Sequence, residues 1–568
     1  MKKLERTLSL PGAIAVSIGG MLSGIFVLPG LAVGITGSSV WLAYLVAALC
    51  ILPAVLSKSE LGTAMPKSGG TYVYIERAFG PLFGTIAGIG LWLSLLLKSA
   101  FSLVGLSAYL YVVVNIDEAY SNAIALLALL LIFLLNVFGL KKVEKTQLFI
   151  VSTSIISLIV IIALGLTSFD TKLTEPVFSD GTNGFIAGVA FLYISYAGVT
   201  KIAAIAGEIT NPSKNLPLTM IISLFLITTI YCLVALALVG NVEATILATD
   251  IKPIHTLFQT IGGDTFGLVA GVVGSLTLLS MANSGVLASS RFPFAMSKDG
   301  LLPSYLAGIN SKFMTPVSAI LTTSSLIALA IIFLDVVKIA KLASAFKVLM
   351  FIFNELTVIV LRETNAQWYK PTFKSPLYPY VQIFGILSGI VLLAFLGVMP
   401  VISVIGVVIL GFLIFLVYGS KSDRSGIASS YGIMSFFFKD ASKIREYSEE
   451  TDNTEDAITT KAEVVVPLLG EETSPETLVE MAAALKSSNE VHAFDITEVP
   501  NQTDSSVFME DSPESTSLKR RIKRLSDSKD LNVGFEAVVT YELSQTINKL
   551  SSQESCEWLV MGWGARPN

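Results

Sequence analysis

Two tracts of this 568-residue chain carry no charged side chain over lengths that strongly limit how they can fold. Residues 7–57 and residues 375–420 contain no Asp, Glu, Lys or Arg. A helix crosses the hydrocarbon core of a bilayer with about 20 apolar residues, so each tract has room for two such helices. Charged residues make up only 14% of the whole chain, against about 25% in a typical soluble domain. The sequence therefore predicts an all-α polytopic membrane protein.

Hydrophobic runs of membrane-spanning length recur along the chain and predict twelve spans. The predicted spans are residues 9–35, 39–57, 81–114, 121–140, 146–168, 184–206, 216–240, 264–292, 314–334, 336–361, 379–397 and 400–419. Lysine and arginine are concentrated in alternate connecting segments, for example Lys141, Lys142 and Lys145 between the fourth and fifth spans. Because positive residues favour the cytoplasmic side, we expect both termini in the cytoplasm and the protein in the cell membrane.

Glycine interrupts the first and the sixth predicted spans at corresponding positions. The first span contains Gly19, Gly20, Ser23 and Gly24, and the sixth contains Gly198. Paired glycine-interrupted spans are the best sequence indication of the binding site of a secondary transporter. Free amides and the partial positive charge at a half-helix N-terminus would suit a carboxylate. The alternative is that these small residues only allow the helices to pack closely.

The chain changes character after residue 420, and three domains are predicted. Residues 1–420 form the twelve-span transporter domain, residues 421–460 a linker, and residues 461–568 a small cytoplasmic α/β domain. The linker contains an amphipathic segment at 431–447, either a helix at the membrane surface or an ordinary connecting helix, followed by an acidic stretch. Strand-like and helix-like runs alternate beyond residue 461, which is typical of a parallel sheet.

Four short motifs resemble those of amino acid permeases in the amino acid–polyamine–organocation superfamily. They are residues 59–74 after the second span, 208–217 after the sixth, 290–303 after the eighth and 375–379 before the eleventh. This resemblance implies the leucine-transporter fold, in which five spans are followed by an inverted repeat of five and by two more. It also implies that residues 7–420 form a carrier for amino acids.

The same resemblance implies substrate contacts in both interrupted spans. The residues concerned are Gly19, Gly20, Ser23, Gly24 and Ile25 in the first span, and Tyr193, Tyr196, Ala197 and Gly198 in the sixth. Most relatives have one more residue between Met21 and Ser23, so the turn of the first span is shorter here. Simple packing is the alternative for the two tyrosines. In the eighth span, Ser280 and Ser284 match the helix that holds sodium in sodium-driven members, and bonding to their own backbone is the alternative.

Four ionisable residues lie within predicted spans, namely Lys98, Lys201, Lys347 and Glu355. Ionisable groups are costly in lipid, so each suggests a functional role. We expect Lys201, together with Lys98, to carry a coupling proton or to pair with an anionic group of the substrate. Lys201 is expected in the first turn of a half-helix after Gly198, and a lysine that bonds backbone carbonyls at the first-span break is the alternative. Lys347 and Glu355 lie eight residues apart on one helix face, where pairing or snorkelling is the alternative to a role in transport.

The tail resembles a universal stress protein domain. Nucleotide-binding members carry an Asp after a first-strand Val-Pro-Val, whereas here Val466-Pro467 is followed by Leu468 and Leu469. Their glycine-rich phosphate loop is also cut short, because the sequence ends at Asn568. We therefore expect an incomplete domain that binds no ATP, with regulation or a homodimer through the tail as the alternatives.

These features predict a secondary transporter of amino acids, proton-coupled or exchanging, with a cytoplasmic regulatory tail. Two alternatives stay open: a receptor that senses its ligand with a carrier fold, and a carrier of other ions or amines. An enzyme is not expected, since no nucleophile and base are recognisably arranged and the two histidines, His255 and His492, lie outside the predicted spans. The expected partners are an amino acid and the lipid bilayer. No cofactor, metal or nucleic acid is expected.

Overall fold

The computed structural model divides the chain into two compact units. One comprises residues 1–364 and 371–428, and the other comprises residues 365–370 and 429–568. The structure describes residues 8–65, 71–114, 118–138, 143–175, 177–310, 315–364, 368–421, 426–427, 463–470, 472, 474–485, 491–499, 513–529, 531–540, 543–551 and 556–562. The predicted surface helix at 431–447 and nearly all of the predicted linker lie outside the described residues, as do residues 563–568.

The first unit is built from α-helices and one long 3₁₀ helix, Tyr193–Glu208. The α-helices are α1 (Leu10–Gly19), α2 (Ser23–Thr36), α3 (Val40–Ala64), α4 (Tyr72–Phe79), α5 (Pro81–Val114), α6 (Ser121–Phe138), α7 (Val143–Thr167), α8 (Gly181–Leu192), α9 (Pro212–Val239), α10 (Ala244–Leu247), α11 (Pro253–Lys298), α12 (Val317–Phe333), α13 (Val336–Glu363), α14 (Tyr380–Phe395) and α15 (Val398–Val417). Within the described ranges, nine helical segments are long and apolar enough to cross a membrane, the first of them covering α1 to α3. The unit is therefore a helical polytopic membrane protein, while the count of twelve and the inverted repeat stay predictions.

Helix α5 forms the centre of this unit. It is buried along most of its length, and α11 and α13 pack along it. Glycines make these approaches close: a Cβ atom at Gly88 would lie 2.4 Å from Met296 Sδ, and one at Gly90 would lie 2.8 Å from Met350 Cε. Small residues at interfaces are what allow membrane helices to pack tightly. This packing holds Lys98, midway along α5, inside the unit.

The peripheral helices expose large apolar side chains. Leu127 and Leu131 of α6, Phe149 of α7 and Leu387 of α14 are each more than half exposed. Contiguous apolar surface of this kind is rare on soluble monomers and marks a surface that contacts a membrane or another apolar partner. It accordingly suits the lipid bilayer.

The second span is longer than predicted. Helix α3 continues to Ala64, whereas the prediction ended it at residue 57. Lys58 and Glu60 do not face water, because they are 1% and 0% exposed. Glu60 accepts two hydrogen bonds from Arg362 of α13, with Nε–Oε1 at 2.8 Å and Nη2–Oε2 at 2.5 Å. The charges that suggested the end of a span are therefore internal, and the helix continues through them.

The second unit contains a four-stranded parallel sheet in the order β3-β2-β1-β4. Its elements are β1 (Val464–Leu468), α16 (Pro475–Ala484), β2 (Val491–Glu498), α17 (Pro513–Lys529), β3 (Val533–Thr540), α18 (Leu543–Ser551) and β4 (Trp558–Leu559). All five residues of β1 are buried, as befits a central parallel strand with both faces covered. The alternation of strands and helices follows the predicted order. The likeness to a universal stress protein and the predicted domain bounds stay predictions.

Candidate functional site

The interrupted first and sixth spans touch each other at their interruptions. A Cβ atom on Gly198 would lie 2.2 Å from the carbonyl oxygen of Gly20 and 2.8 Å from the amide nitrogen of Met21. A Cβ atom on Gly24 would lie 2.7 Å from Ser195 Oγ. Without glycine at these positions the two backbones would have to separate. We call the contact between residues 19–25 and residues 193–201 the junction.

The first span is broken by a turn of three residues, because α1 ends at Gly19 and α2 begins at Ser23. The amide of Met21 donates to the carbonyl oxygen of Ile18 at 2.8 Å, and the amide of Gly24 donates to that of Met21 at 3.0 Å. These amides are therefore engaged within the turn, which differs from the free amides expected. The Ser23 hydroxyl is fully buried and has no hydrogen-bond partner within the described part of the chain. At this break the unsatisfied polar group is a hydroxyl.

The sixth span changes its helix type where the sequence predicts its interruption. Helix α8 ends at Leu192, and the 3₁₀ helix Tyr193–Glu208 follows directly. A 3₁₀ helix of this length is uncommon and often marks strain or a hinge. Residues three apart share one face of a 3₁₀ helix, so Ser195, Gly198 and Lys201 form one row against the first span. The expectation that Lys201 begins a second half-helix is wrong, because the backbone does not return to α-helical geometry after Gly198.

Lys98 of α5 connects the two interruptions. Its Nζ atom donates to the carbonyl oxygen of Gly20 at 3.1 Å and to that of Ile194 at 3.2 Å. The sequence left open that Lys201 bonds carbonyls at the first-span break, and the structure gives this contact to Lys98 instead. An ammonium group has three N–H donors. When Lys98 is protonated, one donor is therefore left, within the described residues, for a further group.

The two tyrosines of the sixth span have different surroundings. Tyr196 Oη donates to a backbone carbonyl of α3 at 3.0 Å, and its ring lies 5.3 Å from that of Tyr231. Tyr231 Oη in turn donates to the carbonyl oxygen of Met21 at 2.6 Å. Tyr193 instead meets Phe351 of α13, with ring centres 5.9 Å apart. Packing accounts for the position of Tyr196, and a contact of either tyrosine with a substrate stays a prediction.

The predicted ion-site residues, Ser280 and Ser284, lie on α11. The Ser284 hydroxyl donates to a carbonyl of its own helix at 3.0 Å, which is the alternative that the sequence left open. The carbonyl oxygens of Gly20 and Met21, which a cation at the first span would need, accept from the lysine and tyrosine donors described above. A sodium ion would have to displace these donors, so the contacts do not favour one here. Over the described ranges, no three His, Cys, Asp or Glu side chains are grouped as metal ligands.

Four amines approach the junction, and we call them the lysine cluster: Lys58, Lys98, Lys201 and Lys347. Three of them, Lys58, Lys98 and Lys347, are 1%, 3% and 3% exposed. Lys347 Nζ lies 4.7 Å from the ring centre of Phe351, and Lys58 Nζ lies 5.8 Å from the same centre. Lys201 lies beside Gly20, whose carbonyl oxygen Lys98 also bonds. The sequence analysis missed Lys58 and Phe351, because it ended the second span before Lys58.

Lys347 and Glu355, for which the sequence left pairing open, make separate contacts. Lys347 Nζ donates to Thr200 Oγ1 at 3.3 Å, whereas Glu355 Oε2 accepts from Ser57 Oγ at 2.6 Å. Thr200 belongs to the 3₁₀ helix, so Lys347 reaches the junction from α13 as Lys98 does from α5. Four elements therefore bring amines to one region: α3, α5, α13 and the 3₁₀ helix.

A second polar network links the ends of α3 and α13. The Glu60 carboxylate accepts two hydrogen bonds from Arg362 and a third from the amide of Ser375 at 2.7 Å. Arg362 Nη2 also donates to the carbonyl oxygen of Ser375 at 3.1 Å. The partners are about 300 residues apart in sequence, so no local pattern could have revealed the pair. The network fixes the segment before α14 against two core helices.

The chain is similar in sequence to a known protein family and to individual transport proteins. Residues 8–420 match the profile of the family described as amino acid permease. The chain is 26% identical over 445 residues to the branched-chain amino acid permease of Bacillus subtilis, covering 74% of this chain and 95% of the relative. It is 28% identical over 403 residues to the serine/threonine exchanger of the same organism, covering 67% and 89%. It is 26% identical over 441 residues to the methylthioribose transporter of that organism, covering 74% and 95%.

Proposed function

The chain belongs to the amino acid permease family, and on this premise we propose that it is a secondary active transporter of amino acids in the cell membrane. The observation that carries the proposal is the junction, where Gly20 and Gly198 are in backbone contact and Lys98 bonds both broken spans. In secondary transporters the substrate site lies where discontinuous spans of two repeats meet. The proposed unit has twelve spans, an inverted repeat of five and both termini in the cytoplasm.

The junction offers an amino acid carboxylate two donors. The Ser23 hydroxyl is buried without a partner among the described residues, and Lys98 has one N–H donor beyond its two carbonyl bonds. A buried polar group without a partner costs free energy, so a ligand that satisfies it gains affinity. We assign the carboxylate to these two groups and the substrate side chain to the region of Tyr193 and Ala197.

The 3₁₀ helix is the element proposed to change during alternating access. Its hydrogen bonds have poorer geometry than those of an α-helix, and a long 3₁₀ stretch often marks a hinge. It packs against the first span, α3 and α9, so a change in its winding would be passed to all three. Lys98 would follow this change, because it bonds one carbonyl on each side of the junction.

The coupling role proposed for Lys201 and Lys98 rests on their place beside the break. The side-chain carbons of Lys201 come within 3.4 Å of the position that a Cβ atom of Gly20 would occupy. An amine there is placed either to exchange a proton as the site opens or to hold an anionic group of the substrate. The relatives include a serine/threonine exchanger, so exchange is kept beside proton coupling as a mode of transport.

We propose that the tail regulates the carrier, or dimerises it, without binding ATP. Open α/β sheets bind ligands at the carboxyl ends of their strands. There, directly after β1, the amides of Leu469 and Gly470 donate to the Glu472 carboxylate at 2.6 and 2.9 Å. A carboxylate of the chain thus already occupies these donors, which supports a role other than nucleotide binding.

A ligand screen on the purified protein tests the proposal. A ligand that binds the folded state raises the unfolding temperature, so the midpoint is measured with each common amino acid and with methylthioribose. We expect at least one amino acid to raise the midpoint. A shift of the unfolding midpoint by methylthioribose alone would favour a second candidate function, a carrier similar to the methylthioribose transporter of Bacillus subtilis. No shift by any amino acid would refute the amino acid assignment.

A further inference from the structure

The lysine cluster brings four amines together at the junction. None of the ion pairs between described residues includes Lys58, Lys98, Lys201 or Lys347. Two acids share helices with the cluster: Glu60 is held by Arg362, and Glu355 accepts from Ser57 through Oε2, while its Oε1 atom has no partner among the described residues. Ionisable groups at membrane depth normally pair with one another or line a substrate path. We therefore expect the substrate to supply a carboxylate partner for these amines.

The cluster also retains unused hydrogen-bond donors at the junction. As an ammonium group, Lys98 donates two of its three N–H groups to backbone carbonyls, and Lys347 donates one to the Thr200 hydroxyl. Within the described part of the chain, Lys201 makes no hydrogen bond and lies beside Gly20. Thr200 and Lys201 are neighbours on the 3₁₀ helix, so donors of Lys347 and Lys201 approach the same stretch of it. The donors therefore form two groups along the junction, one near Gly20 and one near Thr200.

We propose that the transported amino acid carries a second carboxylate, as glutamate and aspartate do. This inference rests on the proposed function and names the substrate class of the same site. Lys98 and Ser23 receive the α-carboxylate at the junction, and Lys347 with Lys201 receives the side-chain carboxylate. An amino acid with an uncharged side chain supplies one carboxylate, for Lys98 and Ser23, and leaves Lys347 and Lys201 without a charged partner. A dicarboxylic amino acid brings a net negative charge and satisfies donors in both groups.

Glutamate and glutamine form the discriminating pair of probes, because they have nearly the same shape and differ in charge. Purified full-length protein is reconstituted in liposomes, and uptake of radiolabelled glutamate is competed with aspartate, glutamine, leucine, serine and succinate. We expect aspartate to compete at least tenfold more effectively than glutamine. Succinate has two carboxylates and no amine, so it tests whether the α-ammonium group is recognised, and we expect it to compete weakly.

Substitutions on one helix test the assignment of the side-chain carboxylate. We expect Lys347→Met to raise KM for glutamate at least tenfold, and Lys347→Arg, which keeps the charge, to raise it less. Lys338→Met is the matched control on α13, since Lys338 is half-exposed and paired with Asp335 at the helix start. Its KM should equal that of the unmodified protein. Gel filtration identifies variants that do not fold, and the competition series on the unmodified protein then decides alone.

The outcomes separate this inference from the proposed function. Uptake of leucine or serine with no preference for glutamate over glutamine would overturn the inference and leave an amino acid transporter. Equal competition by succinate and aspartate would also overturn it, because the carrier would then recognise anions rather than amino acids. An unchanged KM for glutamate in Lys347→Met would remove Lys347 from the site. Failure of folded protein to take up any amino acid would instead refute the proposed function.

Discussion

Replacement of Gly198 by alanine tests the contact on which the junction depends. The added Cβ atom would lie 2.2 Å from the Gly20 carbonyl oxygen, and ordinary contact begins near 3.4 Å, so the two segments must separate by about 1.2 Å. Overpacking of this kind costs about 1–3 kcal/mol. The same separation would stretch one of the two Lys98 bonds, now 3.1 and 3.2 Å long, and the loss of a hydrogen bond to a charged group costs about 1.5–3 kcal/mol. The expected loss of stability is therefore about 2.5–6 kcal/mol.

The assay is thermal unfolding of the detergent-purified protein, together with the initial rate of substrate uptake. Gly406→Ala is the matched control, because a Cβ atom there meets nothing within 4 Å and alanine is favoured over glycine in a helix by about 1 kcal/mol. We expect Gly198→Ala to lower the unfolding midpoint and to abolish uptake, and Gly406→Ala to leave the midpoint unchanged or slightly raised. Equal midpoints and equal uptake in the two variants would refute the close contact between the interrupted spans.

Three further changes test other parts of the account. Gly24→Val should abolish uptake, because its Cβ atom would lie 2.7 Å from Ser195 Oγ; normal uptake at normal surface expression would contradict this. Lys201→Met should turn pH-driven accumulation into pH-insensitive exchange or none, measured in liposomes with an imposed pH gradient, whereas the same pH dependence would make Lys201 structural. Arg362→Ala should lower stability by about 3–5 kcal/mol, because it leaves the buried Glu60 carboxylate without its cation. Arg362→Lys should lose less, and an unchanged unfolding midpoint for the alanine variant would show that the pair contributes nothing.

Local patterns in the sequence predicted those features that depend on local physics. The charge-free tracts predicted a helical membrane protein. The glycines predicted that the first span is interrupted at residues 19–24 and the sixth at residues 195–198. In the tail, the alternation of apolar strands and amphipathic helices predicted the succession of strands and helices along the chain. Each of these follows from the few residues that form it, so a single chain is enough to find it.

Features that depend on distant partners could not be predicted in this way. From the sequence, the charge of Lys58 indicates the end of a span. In the structure, Lys58 lies near Phe351, almost 300 positions later in the sequence, and is buried. Lys98 and Lys201 are equally plausible ligands of the first-span carbonyls by position, and only the path of α5 selects Lys98. Gly198 predicted a second half-helix in the sixth span, whereas the backbone from Tyr193 to Glu208 is a 3₁₀ helix. Tertiary packing decided each case.

Transport itself tests the central claim most directly. Purified protein in liposomes is given the amino acid that shifts its unfolding midpoint, with a proton gradient or with unlabelled amino acid inside, and accumulation of label is followed over time. An amino acid carrier with its site at the junction accumulates label above the external concentration, and Gly198→Ala does not. A folded protein that binds the amino acid yet moves none of it across the membrane would contradict the account and would favour a receptor built on a carrier fold.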